Sequence, residues 1–129
     1  MQIPTESELR EMLPKHKCDM EAAKKIVALG YPAVKPVLDE ILVWMQDINW
    51  PVTLFHFLAF LRTIGMPLLP HLKKILATDD DWWKYWIIGE IIVENPQLMQ
   101  ELKADVKKFI EDCPGFFDEE VEDEILARC

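Results

Sequence analysis

Apolar residues recur every three or four positions over most of the chain, and prolines, glycines and short acidic runs interrupt them at regular intervals. That period is helical. Thr5 and Glu8 form a capping-box pattern ahead of a short helix with Leu9, Met12 and Leu13 on one face, ended by Pro14. Asp19 is placed to cap a second helix that turns Ala22, Ala23, Ile26, Val27 and Leu29 inward and stops at Gly30. Pro32 and Pro36 stand near the start of a third helix, where a missing N–H costs little. Its inward positions are Val34, Val37, Leu38, Ile41, Leu42 and Met45. Gln46-Asp47-Ile48-Asn49 is a turn, and Asn49 is expected to cap a fourth helix over 50–64. That helix carries Leu54, Phe55, Phe57, Leu58, Phe60 and Leu61 and is apolar nearly all round.

After Gly65 the pattern returns. Val34-Lys35-Pro36 matches Leu68-Leu69-Pro70, and Leu38, Ile41 and Leu42 match Leu72, Ile75 and Leu76. Asp47-Ile48-Asn49-Trp50 aligns with Asp79-Asp80-Asp81-Trp82. A self-similar unit of about 30 to 35 residues, each a helix, an acidic turn and a second helix, marks a helical repeat array. A third unit begins after Asn95-Pro96, with Leu98, Leu102, Val106, Phe109 and Ile110 inward. Pro114-Gly115 breaks it, and Phe116-Phe117-Asp118 leads into a last helix capped by Asp118, with Val121, Ile125 and Leu126 as its apolar stripe. Its outer face, Glu119, Glu120, Glu122, Asp123 and Glu124, suits a terminal repeat or a solvated end. No strand pattern occurs. The expected fold is an all-α, right-handed α-α superhelix of about eight helices in stacked antiparallel pairs, forming one domain over 1–129.

The stretch over 79–94 organises the rest. Three acids open it, four large aromatics follow, and an aliphatic run closes it. As a helix it is apolar on nearly every side and is expected to lie sandwiched between neighbours. It is too short, and too interrupted by Lys84 and Glu90, to span a bilayer. The helices that start at Trp50 and at Trp82 are expected to be the most buried.

Charge narrows the function. The formal net charge is -9, which disfavours nucleic acid and anionic membrane surfaces and leaves a basic protein or a cation as partner. From residue 97 onward ten acidic residues face four basic ones. Only Lys73, Lys74, Lys84 and Arg62 stand near the centre to meet phosphate. Cys18, Cys113 and Cys129 are odd in number and widely spaced, which predicts neither a disulfide framework nor a zinc site. A disulfide through Cys129 would be a handling artefact. Met1-Gln2-Ile3-Pro4-Thr5-Glu6 lacks a basic region followed by an apolar one, so a cytoplasmic, reduced protein is expected.

No catalytic constellation is readable. His16, His56 and His71 are scattered, Ser7 is the only serine, and the four glycines are isolated. No cofactor is expected. Asp79-Asp80-Asp81 lacks the alternate spacing of a calcium loop and is read as helix capping at the positive end of the helix dipole. Glu90 and Glu94, four apart, are the one carboxylate pair placed for acid–base work, or else a wet stripe. Trp82 and Trp86 share a helix face, and Trp83 points about 100° away. Trp50 and Trp82 hold equivalent repeat positions. These aromatics either fill the core between repeats or form an aromatic-acidic interaction surface with Asp47, Asn49, Trp50, Asp79, Asp80, Asp81, Trp82, Trp83, Tyr85 and Trp86.

Ala33-Val34-Lys35-Pro36-Val37-Leu38-Asp39-Glu40-Ile41-Leu42 resembles the first helix of HEAT-like repeats. Trp44-Met45-Gln46-Asp47-Ile48-Asn49-Trp50-Pro51-Val52, Thr78-Asp79-Asp80-Asp81-Trp82-Trp83-Lys84-Tyr85-Trp86 and Leu13-Pro14-Lys15-His16-Lys17-Cys18-Asp19 together resemble the family called domain of unknown function 5071. The resemblance implies a small HEAT-like α-α fold and no known activity, so no catalytic residue is carried over. The arginine common in the second helix of typical HEAT units is missing. The expected function is a non-enzymatic protein-interaction module with an unidentified, basic protein partner; an immunity-type protein that neutralises a basic toxin is one specific form. The alternative is an enzyme or small-ligand binder with a pocket at the Asp79–Trp86 edge, using Glu90, Glu94 or His56.

Overall fold

Eight α-helices account for most of residues 3–128, the part of the chain that the computed structural model describes, and no strand occurs among them. The start of the chain at Met1-Gln2 and the thiol of Cys129 lie outside the described residues. The helices are α1 (Glu6–Met12), α2 (Met20–Leu29), α3 (Leu38–Val43), α4 (Leu58–Ile64), α5 (Leu69–Leu76), α6 (Asp81–Ile87), α7 (Pro96–Asp112) and α8 (Glu119–Arg128). The chain divides into two units, Met1–Ile64 and Gly65–Cys129.

In the first unit the capping box forms as expected: Thr5 Oγ1 accepts the Glu8 N–H at 3.2 Å and Glu8 Oε1 accepts the Thr5 N–H at 3.0 Å. Asp19 stands at the start of α2, but its main partner is the Lys15 N–H at 3.0 Å, which fastens the preceding loop and holds the carboxyl below its ordinary range. Gly30 ends α2 at φ 74°, a backbone conformation that favours glycine. A 3₁₀ turn, Lys35–Val37, leads into α3, and another, Trp44–Gln46, follows it. All six positions predicted inward here, Val34 to Met45, are buried.

The fourth helix departs from expectation in three ways. Asn49 does not cap it: Pro51 follows Trp50 directly, and the Trp50 carbonyl is the first acceptor, taking the Thr53 and Leu54 N–H groups at 2.9 Å. Asp47 is the capping acceptor of the turn, receiving the Asn49 N–H at 2.8 Å. After Pro51 and Val52 the helix passes through a π turn, Thr53–Phe57, closed by Leu58 N–H to the Thr53 carbonyl. Thr53 is fully buried, and its hydroxyl donates to the Trp44 carbonyl at 2.5 Å, joining this turn to the end of the third helix. Finally, the helix is not buried all round. Val52, Phe57 and Leu61 are buried, whereas Leu54 is 47% and Phe55 65% exposed.

The second unit repeats the plan. Gly65 has φ 72°, a 3₁₀ turn Met66–Leu68 carries Pro67, and α5 follows. Leu68, Leu72 and Ile75 are buried like their counterparts Val34, Leu38 and Ile41. The helix after the acidic turn again contains a π turn, Ile88–Ile92, closed by Val93 N–H to the Ile88 carbonyl at 3.1 Å. Its aliphatic run, Ile87, Ile88, Ile91 and Ile92, is buried and packs on α7. α7, the longest described helix, has a well-made start: Asn95 Oδ1 accepts the Gln97 and Leu98 N–H groups at 3.0 and 3.1 Å, and Pro96 sits where its missing N–H is harmless. Leu98, Leu102, Val106, Phe109 and Ile110 turn inward as expected. The Asp118 carbonyl accepts the Glu122 N–H at 2.8 Å at the start of α8, which buries Ile125 and leaves Val121 and Leu126 exposed. No single described helix is long and apolar enough to cross a membrane.

The two asparagines give a direct check on where capping occurs. Asn95→Ala is expected to lower the unfolding free energy by about 1 kcal/mol, whereas Asn49→Ala stays within about 0.5 kcal/mol, both read by urea denaturation.

Candidate functional site

The acidic turn before α6 sets the site. Thr78 Oγ1 donates to the Ile75 carbonyl at 2.7 Å, closing α5, and accepts the Asp80 N–H at 3.3 Å. Asp80 then caps α6, its Oδ1 accepting the Trp83 N–H at 3.0 Å. Asp81, in the first turn, pairs with Lys84 Nζ at 3.3 Å. The three acids are thus divided between capping, an intrahelical ion pair and, for Asp79, the wall of a cleft. Among the described residues no group of three His, Cys, Asp or Glu side chains converges to hold a metal ion.

Capping at Asp80 starts the helix so that Trp82, Tyr85 and Trp86 fall on neighbouring faces. Their rings are in contact: Trp82 lies 6.4 Å from Trp86 and meets Tyr85 edge-on at 5.7 Å. The turn between α7 and α8 supplies two more rings. Phe116 packs edge-on against Trp82 at 5.0 Å, and Phe117 lies 4.8 Å from Tyr85. Phe109 of α7 closes the cluster from inside, 5.5 Å from Phe116. Gly89 makes room for this arrangement, because a Cβ there would lie 3.3 Å from Phe117 Cε1. Exposure rises outward through the cluster, from buried Phe109 and Phe117 to Trp82, which is 59% exposed. The expectation of a sandwiched central helix therefore fails for its first half, and Trp83, Tyr85 and Trp86 are half-buried.

Two clefts flank α6. The larger, about 510 Å³, has Phe109 and Cys113 on its wall and brings Lys73, Lys84 and Lys108 together with Asp79, Asp105 and Asp112. Three ammonium groups against three carboxylates leave it without net charge. Lys84 is held there by Asp81 and by the Phe109 ring, 5.9 Å from its centroid. Burial, and then the Asp81 carboxylate, push the Cys113 thiol pKa up, so it is a poor nucleophile. The smaller cleft, about 270 Å³, has aromatic walls from Tyr85, Trp86 and Phe117 and carboxylates from Glu90, Glu94 and Glu124. Arg128 reaches this cleft, its Nη1 donating to the Val93 carbonyl at 2.9 Å.

In the first unit Trp50 packs edge-on against Trp44 at 5.5 Å, beside the turn that holds Asp47 and Asn49. His56 is half-buried in the π turn and lines neither cleft. The sequence reading missed Phe116, Phe117, Glu124 and Arg128 as part of the α6 surroundings, and Leu54 and Phe55 as surface. The adjacent phenylalanines carried a signal: in a turn they serve no helical face, so they point to a tertiary contact.

The family model described as Domain of unknown function (DUF5071) matches residues 12–128. No curated protein matches the chain.

Two measurements test this geometry. Among five single Trp→Phe variants, Trp82→Phe should remove the largest share of red-shifted emission quenchable by acrylamide, a neutral quencher that the acidic surface does not repel. For the thiols, the raised pKa leaves less thiolate at pH 8, so Cys113 should alkylate several-fold more slowly than exposed Cys18 in peptide mapping, the gap narrowing as pH rises.

Proposed function

The chain belongs to the Domain of unknown function (DUF5071) family, and we propose that it is a cytoplasmic, non-enzymatic, HEAT-like interaction module for a basic protein partner. The observation that carries this reading is Trp82. The residue is 59% exposed, yet its ring packs against Trp86, Tyr85 and Phe116. An exposed aromatic gains little for the fold. Held rigid, it loses little freedom on binding and anchors an interface well. A net charge of -9 steers basic partners toward it. Neutralisation of a basic toxin is one form such binding takes.

The enzyme alternative has less support. Neither cleft brings a histidine to a nucleophile, and Cys113, on the wall of the larger one, has its thiol pKa raised. Nucleic acid is disfavoured because the lysines of the larger cleft are matched by aspartates.

Immobilised native chain and Trp82→Ala variant, exposed side by side to lysate of the source cells, give the test. A partner should be retained by the native chain at low salt, weakened by added salt, and reduced about tenfold by the substitution. Equal retention by both baits, or none by either, overturns the proposal.

A further inference from the structure

The smaller cleft combines four features that favour one kind of guest. Tyr85, Trp86 and Phe117 present aromatic rings, which attract cations through their faces. Glu90, Glu94 and Glu124 add three carboxylates to its lining. The α6 helix and its π turn end here at Val93, so the negative end of a helix dipole points into the same space. Most directly, a guanidinium is already present: Arg128 of α8 donates from Nη1 to the Val93 carbonyl at the end of the turn. At about 270 Å³ the cleft is smaller than the usual range of small-molecule sites, roughly 300–1,000 Å³. It has room for a side chain rather than a cofactor.

We propose that this cleft is a subsite for a single arginine side chain of the basic partner, which displaces Arg128 from the Val93 carbonyl and stacks on Trp86 and Tyr85. The inference rests on the interaction-module reading above and names the chemistry of its anchor. Arginine fits better than lysine because its planar fork both stacks on rings and donates several hydrogen bonds in one plane. Arg128 then acts as an internal competitor: exposed, on the last turn of α8, it holds the place until a better-anchored guanidinium arrives.

Titration of the ¹⁵N-labelled full chain with the peptide Gly-Gly-Arg-Gly-Gly tests this. Saturable shifts are expected at the Trp86 indole N–H, Gly89 and Val93. The lysine version of the peptide should bind more weakly. Binding should fall about tenfold in the E90Q/E94Q/E124Q variant and should tighten in Arg128→Ala. Absence of saturable shifts, shifts unaltered by the triple substitution, or weaker binding in Arg128→Ala would each overturn the subsite. Tighter binding of spermidine than of the arginine peptide would assign the cleft to a free small cation and overturn it equally. The two proposals fail separately. A lysate partner held equally by native and triple-variant baits sinks the subsite but leaves the module; peptide binding with no retained partner does the reverse.

Discussion

Burial of Ile87, Ile88, Ile91 and Ile92 against α7 is the constraint on which the second unit depends. Each such side chain contributes about 1.5–3 kcal/mol on leaving water, so together they fix the rotation of α6 about its axis. Once that rotation is fixed, the aromatics before them have no choice of direction. Trp83 lies four residues before Ile87 and shares its face, and it is half-buried. Trp82 lies five before, about 140° round the helix, and it is exposed. The outward ring is thus a consequence of the inward isoleucines.

The exposed edge is kept ordered by parts from elsewhere in the same unit. Phe116 and Phe117 arrive from the turn after α7, and the absence of a side chain at Gly89 lets Phe117 approach the helix. Asp80 fixes where α6 begins and Asn95 fixes where α7 begins, so the two helices meet in a defined register. A ring cluster graded from buried to exposed has the stiffness of a core at one end and the accessibility of a surface at the other.

Electrostatics then separate the two sides of α6. On one side lysines and aspartates balance within a single cleft; on the other, carboxylates outnumber the single arginine. The overall charge of -9 is therefore not spread evenly over possible contacts. The aromatic-walled cleft also lies at the negative end of a helix.

The sequence by itself determined the helices, their stops and most inward positions. Gly30 and Gly65, the Thr5–Glu8 box and the spacing of Val34 to Met45 act through local backbone conformation and helical period, which are properties of short segments. Family membership was legible for the same reason, in the tryptophan-containing motifs over 44–52 and 78–86. Tertiary structure alone decided which aromatic residues are buried and which are exposed. Composition shows Leu54, Phe55 and Trp82 as apolar residues on apolar helices, but exposure depends on whether another element covers that face. The π turns at Thr53–Phe57 and Ile88–Ile92 were equally unreadable, since an extra residue in a turn is set by packing against neighbours and not by residue type. The meeting of Arg128 with Val93 joins residues thirty-five apart, a distance over which no helical period carries information.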